Sequence, residues 1–243
     1  MTASPHHFGL AALLNDTTKA ADGPALPDRL FSLARRAWYS ARRCWWKALW
    51  RLDVRGLGHV PARAPVLLCA NHTSHLDAAA ILAALPRDLA LRTTTAAAQD
   101  VFGDHAAYDF VSRLTTGALP LERGADFARG LRQLQAVLRE RRPLILFPEG
   151  RRSVDGNLVE FKLGAAMLAL RTGTPIVPIH LDGVREALPR GAKLPKAAKV
   201  RVHFGRPIDP APYRRAVEAG EIDRREAYRR LTDDLKAAIA RMM

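Results

Sequence analysis

Cysteine is scarce. Cys44 and Cys69 are the only two in 243 residues, too few for the disulfide framework of a small secreted domain. Cys69 sits within an apolar run and reads as a small core residue. Long hydrophobic runs are missing as well: no stretch approaches the roughly 20 apolar residues of a spanning helix. Residues 1–15 lack the basic start and extended apolar segment of a secretory signal. These absences argue against an oxidising compartment and an integral membrane protein. They point to a chain in the cytosol or peripheral on the cytoplasmic side of a membrane. Acidic residues are in deficit, 24 Asp and Glu against 38 Lys and Arg, giving a formal net charge of +14. That excess predicts anionic partners: nucleic acid, acidic lipid or phosphorylated substrates. No Gly/Ser-rich or Pro-rich linker divides the middle and no repeat is visible, so the length suits one sizeable core.

Three segments follow from the patterning. Residues 1–26 form a loose leader without a clear period. Over 27–52, Leu30, Leu33, Ala34, Ala37, Trp38, Ala41, Trp45, Ala48, Leu49 and Leu52 recur at three- and four-residue steps, one apolar face of a helix. Arg42, Arg43 and other basic residues fall between them, and all four tryptophans lie here, Trp38, Trp45, Trp46 and Trp50. A basic, Trp-rich amphipathic helix has the composition of an interfacial membrane helix, so Trp38, Trp45, Trp46, Arg42 and Arg43 are candidate anchor residues. A helix packed on the core with a solvated basic back is the alternative. Residues 53–243 alternate strand and helix. Strands are expected over 53–57, 65–70, 89–95, 117–121, 143–147 and 175–180, with 199–204 as an edge strand. Helices are expected over 78–85, 106–114, 126–140, 162–171 and 224–243. The alternation predicts an α/β layered domain, with a mostly parallel sheet flanked by helices.

In such folds chemistry gathers at strand ends. After the 65–70 strand comes Asn71-His72-Thr73-Ser74-His75-Leu76-Asp77. His72 and Asp77 would stand about 500° apart on a continuous helix. They meet only if His72 precedes the helix and Asp77 lies in its first turn. Ser74 followed three residues later by Asp77 fits a capping box that starts such a helix. Asp77 could then orient the imidazole and leave the other nitrogen as a base. A plain helix cap with an incidental histidine is the other possibility. The histidine spacing does not fit H-E-x-x-H zinc binding, and Ser74 lacks a G-x-S-x-G elbow. Two more polar clusters end strands, Glu122-Arg123 and Glu149-Gly150-Arg151-Arg152-Ser153. Arginine forks suit phosphate oxygens, and Gly150 allows close backbone approach. Surface salt bridges are the bland alternative for both.

These residues resemble a known family. Residues 71–77 resemble the N-H-x-S-x-x-D block of glycerolipid acyltransferases, the 1-acylglycerol-3-phosphate acyltransferase-like group. Gly117 to Arg123 resembles the second block, Phe147 to Ser153 the third (F-P-E-G-x-R-S), and Ile176 to Ile179 the fourth. The resemblance implies transfer of a fatty acyl group from acyl-CoA or acyl-carrier protein to a lysophospholipid hydroxyl. It implies His72 as general base with Asp77 as partner, and Arg123, Glu149, Gly150, Arg151, Arg152 and Ser153 around the acceptor phosphate. No metal, cofactor or covalent acyl-enzyme is implied. The sequence departs from the family at Arg151, where threonine is common, at Pro120, and in lacking a Lys-Glu segment over 96–102. Three other functions stay open: acylation of a lyso-aminolipid or glycolipid, a non-catalytic binder of anionic lipid, and a nucleic-acid binder. No nucleic-acid motif supports the last.

Overall fold

The computed structural model describes residues 28–62, 65–98, 114–121, 127–189, 191–192 and 194–243. Seven strands form one sheet in the order β1-β7-β6-β2-β5-β3-β4. They are β1 (Asp53–Arg55), β2 (Leu67–Ala70), β3 (Thr94–Ala98), β4 (Ala118–Leu121), β5 (Leu144–Leu146), β6 (Ile176–Asp182) and β7 (Arg201–Phe204). Only the β6–β7 pairing is antiparallel; every other neighbouring pair is parallel. The central strands are buried on both faces, hence the continuous apolar runs in their sequences.

Helices cover both faces. Alternation along β2 sends Leu68 and Ala70 to one side and Leu67 and Cys69 to the other. The first side packs against α1 (Asp28–Trp50), α2 (Asp77–Ala84) and α3 (Arg87–Arg92). The second packs against α4 (Phe127–Arg139), α5 (Gly164–Thr172) and α8 (Arg224–Ala240). Two short helices, α6 (Val184–Ala187) and α7 (Ala211–Glu218), are also among the described residues. The α/β layered architecture with a mostly parallel sheet is therefore as expected.

Three local readings change. Residues 89–95 are not one strand: α3 ends at Arg92, and β3 begins at Thr94. Pro86 supplies the N-cap, Leu89 and Ala90 are buried side by side, and Thr93 Oγ donates back to the Leu89 carbonyl at 2.8 Å. That local closure makes the first half of the segment helical. β7 alternates as expected, but it lies between β1 and β6 and is not an edge. Helices α6 and α7 had no periodic signal, being only 4 and 8 residues long. The helix expected over 106–114 falls almost wholly outside the described residues.

The N-terminal helix turns its stripe inward differently from expectation. Tyr39, Arg42, Trp46 and Trp50 are buried, at steps of three and four, and they dock it on α2 and α3. Arg42 is 3% exposed. Its guanidinium donates to the Leu82 carbonyl at 2.6 and 3.0 Å and to the Tyr39 carbonyl, and it stacks 4.2 Å from the Tyr39 ring centroid. It thus satisfies carbonyls at the C-terminal end of α2, where the helix dipole favours a cation. Burial still pulls the Arg42 pKa down to about 10. Trp46 packs against Trp50 with the rings tilted at 44° and their centroids 4.4 Å apart. Both Arg42 and Trp46 are therefore occupied by the core and do not face outward as anchors. Leu30, Leu33 and Trp45 are exposed on the same helix, as is Arg43, while Trp38 is half-buried edge-on to Trp45.

Candidate active site

The site begins where β2 ends. Asn71 continues the strand with its side chain: its amide nitrogen donates to the Leu181 carbonyl at 3.0 Å, and its oxygen accepts from the Leu181 amide at 2.7 Å. That pair ties the β2 terminus to β6 one residue beyond the backbone ladder. The chain then leaves the sheet, and helix α2 starts only at Asp77.

Asp77 is fully buried and its Oδ2 is the focus of the turn. It accepts from the Thr73 amide at 2.6 Å and the Ser74 amide at 2.9 Å, and it stands 2.8 Å from His72 Nδ1. An oxygen that accepts from two amides is an acceptor toward the imidazole as well, so Nδ1 carries the proton and Nε2 keeps its lone pair. The capping box is half realised. Asp77 does reach back to the Ser74 amide, but Ser74 Oγ accepts from Leu76 rather than from Asp77 and donates to the Leu188 carbonyl at 2.9 Å. Ser74 thereby fastens the turn to the segment after β6. The five-residue His–Asp spacing works because His72 stands before the helix.

Residues 147–153 approach His72 from the neighbouring strand β5, which pairs with β2. The Phe147 ring stacks on the imidazole with centroids 4.1 Å apart at 19°. Glu149 is 2% exposed and its Oε1 accepts from the His72 amide at 2.9 Å. The Ser153 amide donates to the His72 carbonyl at 2.7 Å. Burial raises the Glu149 carboxyl above its ordinary pKa, with the His72 amide pulling the other way. The Ser153 hydroxyl is committed to its own loop, donating to Asp155 at 2.9 Å and accepting from the Gly156 amide at 3.0 Å. Gly150 has φ +66°, a left-handed conformation that closes the Pro-Glu-Gly turn.

Glu149 and Ser153, expected around the acceptor, make their contacts within the protein to His72 and the adjacent loop. Arg152 is half-buried, and its charge, after burial, holds the His75 imidazole below its ordinary pKa. Arg151 is exposed. Arg123 lies outside the described residues. Phe147 and Asn71 contribute to the site without having been singled out for it. Each opens one of the sequence blocks at a strand end, which was the available signal, but neither was given a role there. Among the described residues no group of three His, Cys, Asp or Glu side chains is placed to hold a metal. What remains is chemically simple: an imidazole 22% exposed, its Nδ1 fixed by a buried carboxylate and its Nε2 free to take a proton.

The profile of the Acyltransferase family matches residues 51–182, more than half of the chain and the stretch that contains every contact to His72 described above. A chloroplastic 1-acyl-sn-glycerol-3-phosphate acyltransferase of Brassica napus is 29% identical over 163 residues, 65% of this chain and 45% of that protein. A probable 1-acyl-sn-glycerol-3-phosphate acyltransferase of Mycoplasma pneumoniae is 29% identical over 159 residues, 63% of this chain and 59% of that protein. The chain spans about half the length of these curated relatives. The crystal structure of the 1-acyl-sn-glycerophosphate acyltransferase PlsC from Thermotoga maritima superposes with a TM-score of 0.64 at 19% identity, over 96% of this chain and 87% of that one, a likeness of fold. The family match covers more than half of the chain, and its relatives are glycerolipid acyltransferases, so the chain belongs to the Acyltransferase family.

Proposed function

We propose that the chain moves a fatty acyl group from acyl-CoA or acyl-carrier protein to the free hydroxyl of a lysophospholipid, with 1-acylglycerol-3-phosphate as acceptor and phosphatidic acid as product. One observation carries this reading: the His72–Asp77 pair at 2.8 Å, caged by backbone amides and by residues 147–153. The relatives' names supply the acceptor.

In the proposed reaction His72 Nε2 takes the hydroxyl proton as the oxygen attacks the thioester carbonyl. Asp77 stabilises the imidazolium, which then returns the proton to the departing thiolate. A positioned base of this kind contributes about 10² to 10⁴-fold. Glu149, Phe147 and Ser153 hold the imidazole rather than the substrate. Arg152 and Arg151, with Arg123 by resemblance, bind the acceptor phosphate, and fixing that end places the hydroxyl near His72. Among the described residues no helix is long and apolar enough to cross a membrane. The exposed Leu30, Leu33, Trp45 and Arg43 of α1 are the proposed contact with an anionic membrane surface.

The test is an acceptor panel with radiolabelled acyl-CoA: 1-acylglycerol-3-phosphate, a lyso-aminolipid, a glycolipid and no acceptor. Labelled phosphatidic acid as the dominant product is expected. Label in another lipid reassigns the acceptor, and no label with any acceptor or with acyl-carrier protein contradicts the reading.

A further inference from the structure

Lys162 lies outside every block that the resemblance covers, yet its side chain rests on the third one. Its amide donates to the Pro148 carbonyl at 2.8 Å, which fixes its backbone to the Pro-Glu-Gly turn. From there the side chain runs back across the turn. Its Cδ, Cε and Nζ lie 3.1, 2.9 and 2.8 Å from the point where a Cβ on Gly150 would stand. A lysine on a free surface extends into water; this one lies over the one residue of the turn that has no side chain. Gly150 thus has two duties, the left-handed φ and the room for this stem.

The charges around the turn are unbalanced. Among the described residues no carboxylate pairs with Lys162, Arg151 or Arg152. Glu149, the acid within the turn, faces inward to the His72 amide and is 2% exposed. Lys162 is accessible at the glycine end of the turn, and Arg152 lies two residues beyond, close enough to His75 for its charge to be felt there. Arg152 on this short turn and Lys162 lying over it, with the turn's acid withdrawn, suit a doubly charged phosphate monoester.

We propose that Lys162 binds the phosphate of the acceptor together with Arg152, its stem seated over Gly150. The proposal rests on the acyl-transfer reading above. The phosphates of the donor's coenzyme A are the other source of the same chemistry, so donor and acceptor are varied separately. Lys162→Met keeps the stem and removes the charge; Lys162→Arg keeps the charge. Initial rates of thiol release are measured for 1-acylglycerol-3-phosphate in mixed micelles at saturating acyl-CoA, and for acyl-CoA at saturating acceptor. With Lys162→Met the acceptor KM is expected to rise roughly five- to tenfold, the scale of one partly solvated charge-assisted hydrogen bond, with kcat nearly unchanged. Lys162→Arg should restore most of the affinity. An unchanged acceptor KM, or a rise confined to the KM for acyl-CoA, overturns the assignment. Titration with inorganic phosphate, followed by 31P line broadening, reads the lysine without turnover. Weaker phosphate binding in Lys162→Met supports the site, and equal binding overturns it. A wild-type protein that binds phosphate through Lys162 but does not turn over 1-acylglycerol-3-phosphate overturns the acyl-transfer reading and leaves the anion site standing.

Discussion

His72 is held from two directions, and the two contribute differently. Asp77 fixes the nitrogen that does not react. Glu149, Phe147 and Ser153 fix the backbone and the ring plane. Replacing Glu149 by alanine leaves the part-buried His72 amide without its acceptor, which costs about 1 kcal/mol of stability. Glutamine keeps an acceptor oxygen and should cost less. The pH dependence separates these variants further. Burial raises the Glu149 pKa, so the native state keeps that proton to higher pH than the unfolded chain does. Its contribution to stability therefore falls as pH rises from the ordinary carboxylate value through the raised one. Urea unfolding of Glu149→Gln should show its stability relative to wild type improving as pH rises above the ordinary carboxylate value of about 4, and a flat difference contradicts the buried-acid assignment. Phe147→Ala removes a ring contact worth about 0.5–1.5 kcal/mol, so kcat should fall about two- to tenfold with acceptor KM little changed. At this scale the His–Asp pair was legible from its five-residue spacing. The duties of Glu149 and Phe147 were not, because 77 residues separate Glu149 from His72, and only the β2–β5 pairing closes that gap.

At the scale of the element, α1 shows what periodicity can and cannot say. A 3.6-residue period and a run of tryptophans imply an amphipathic helix, and the helix is there. They do not say which stripe meets the protein. Trp45 and Trp46 are adjacent in sequence, yet one is 52% exposed and the other 3%. The packing of α2 and α3 decides between them, and neither helix has a strong signal of its own. Trp46→Ala should therefore lower stability by about 3–5 kcal/mol in chemical denaturation. Trp45→Ala should change it by less than about 0.5 kcal/mol while weakening binding to anionic vesicles in a sedimentation assay. Equal stability losses in the two would refute this orientation of the helix. Arg42 is the more instructive error. An arginine in a basic amphipathic helix reads as a lipid contact, but here it closes the end of α2. Arg42→Met should destabilise by about 2–4 kcal/mol in the same denaturation experiment, because buried carbonyls lose their donor.

Over the whole molecule, the mostly parallel sheet was readable because its central strands are short apolar runs between helical periods. The small helices α6 and α7 escaped because a few residues carry no period. The placing of β7 inside the sheet escaped because β1, a three-residue strand, is too short to announce itself as the edge. A net charge of +14 belongs to this scale too. If it steers the protein to anionic lipid, vesicle binding should fall steeply between low salt and about 0.5 M, where the screening length shrinks to a few ångströms. Salt-independent binding would assign the attachment to apolar contacts alone. All of these features serve one arrangement, a strand end that delivers a histidine to a buried aspartate beside a cationic turn. Its most direct test is thiol release from acyl-CoA with 1-acylglycerol-3-phosphate, wild type against His72→Ala, with the fold of both checked by circular dichroism. The expected result is phosphatidic acid formation by the wild type and a loss of about 10² to 10⁴-fold or more in the folded variant. Undiminished transfer by folded His72→Ala would contradict the account.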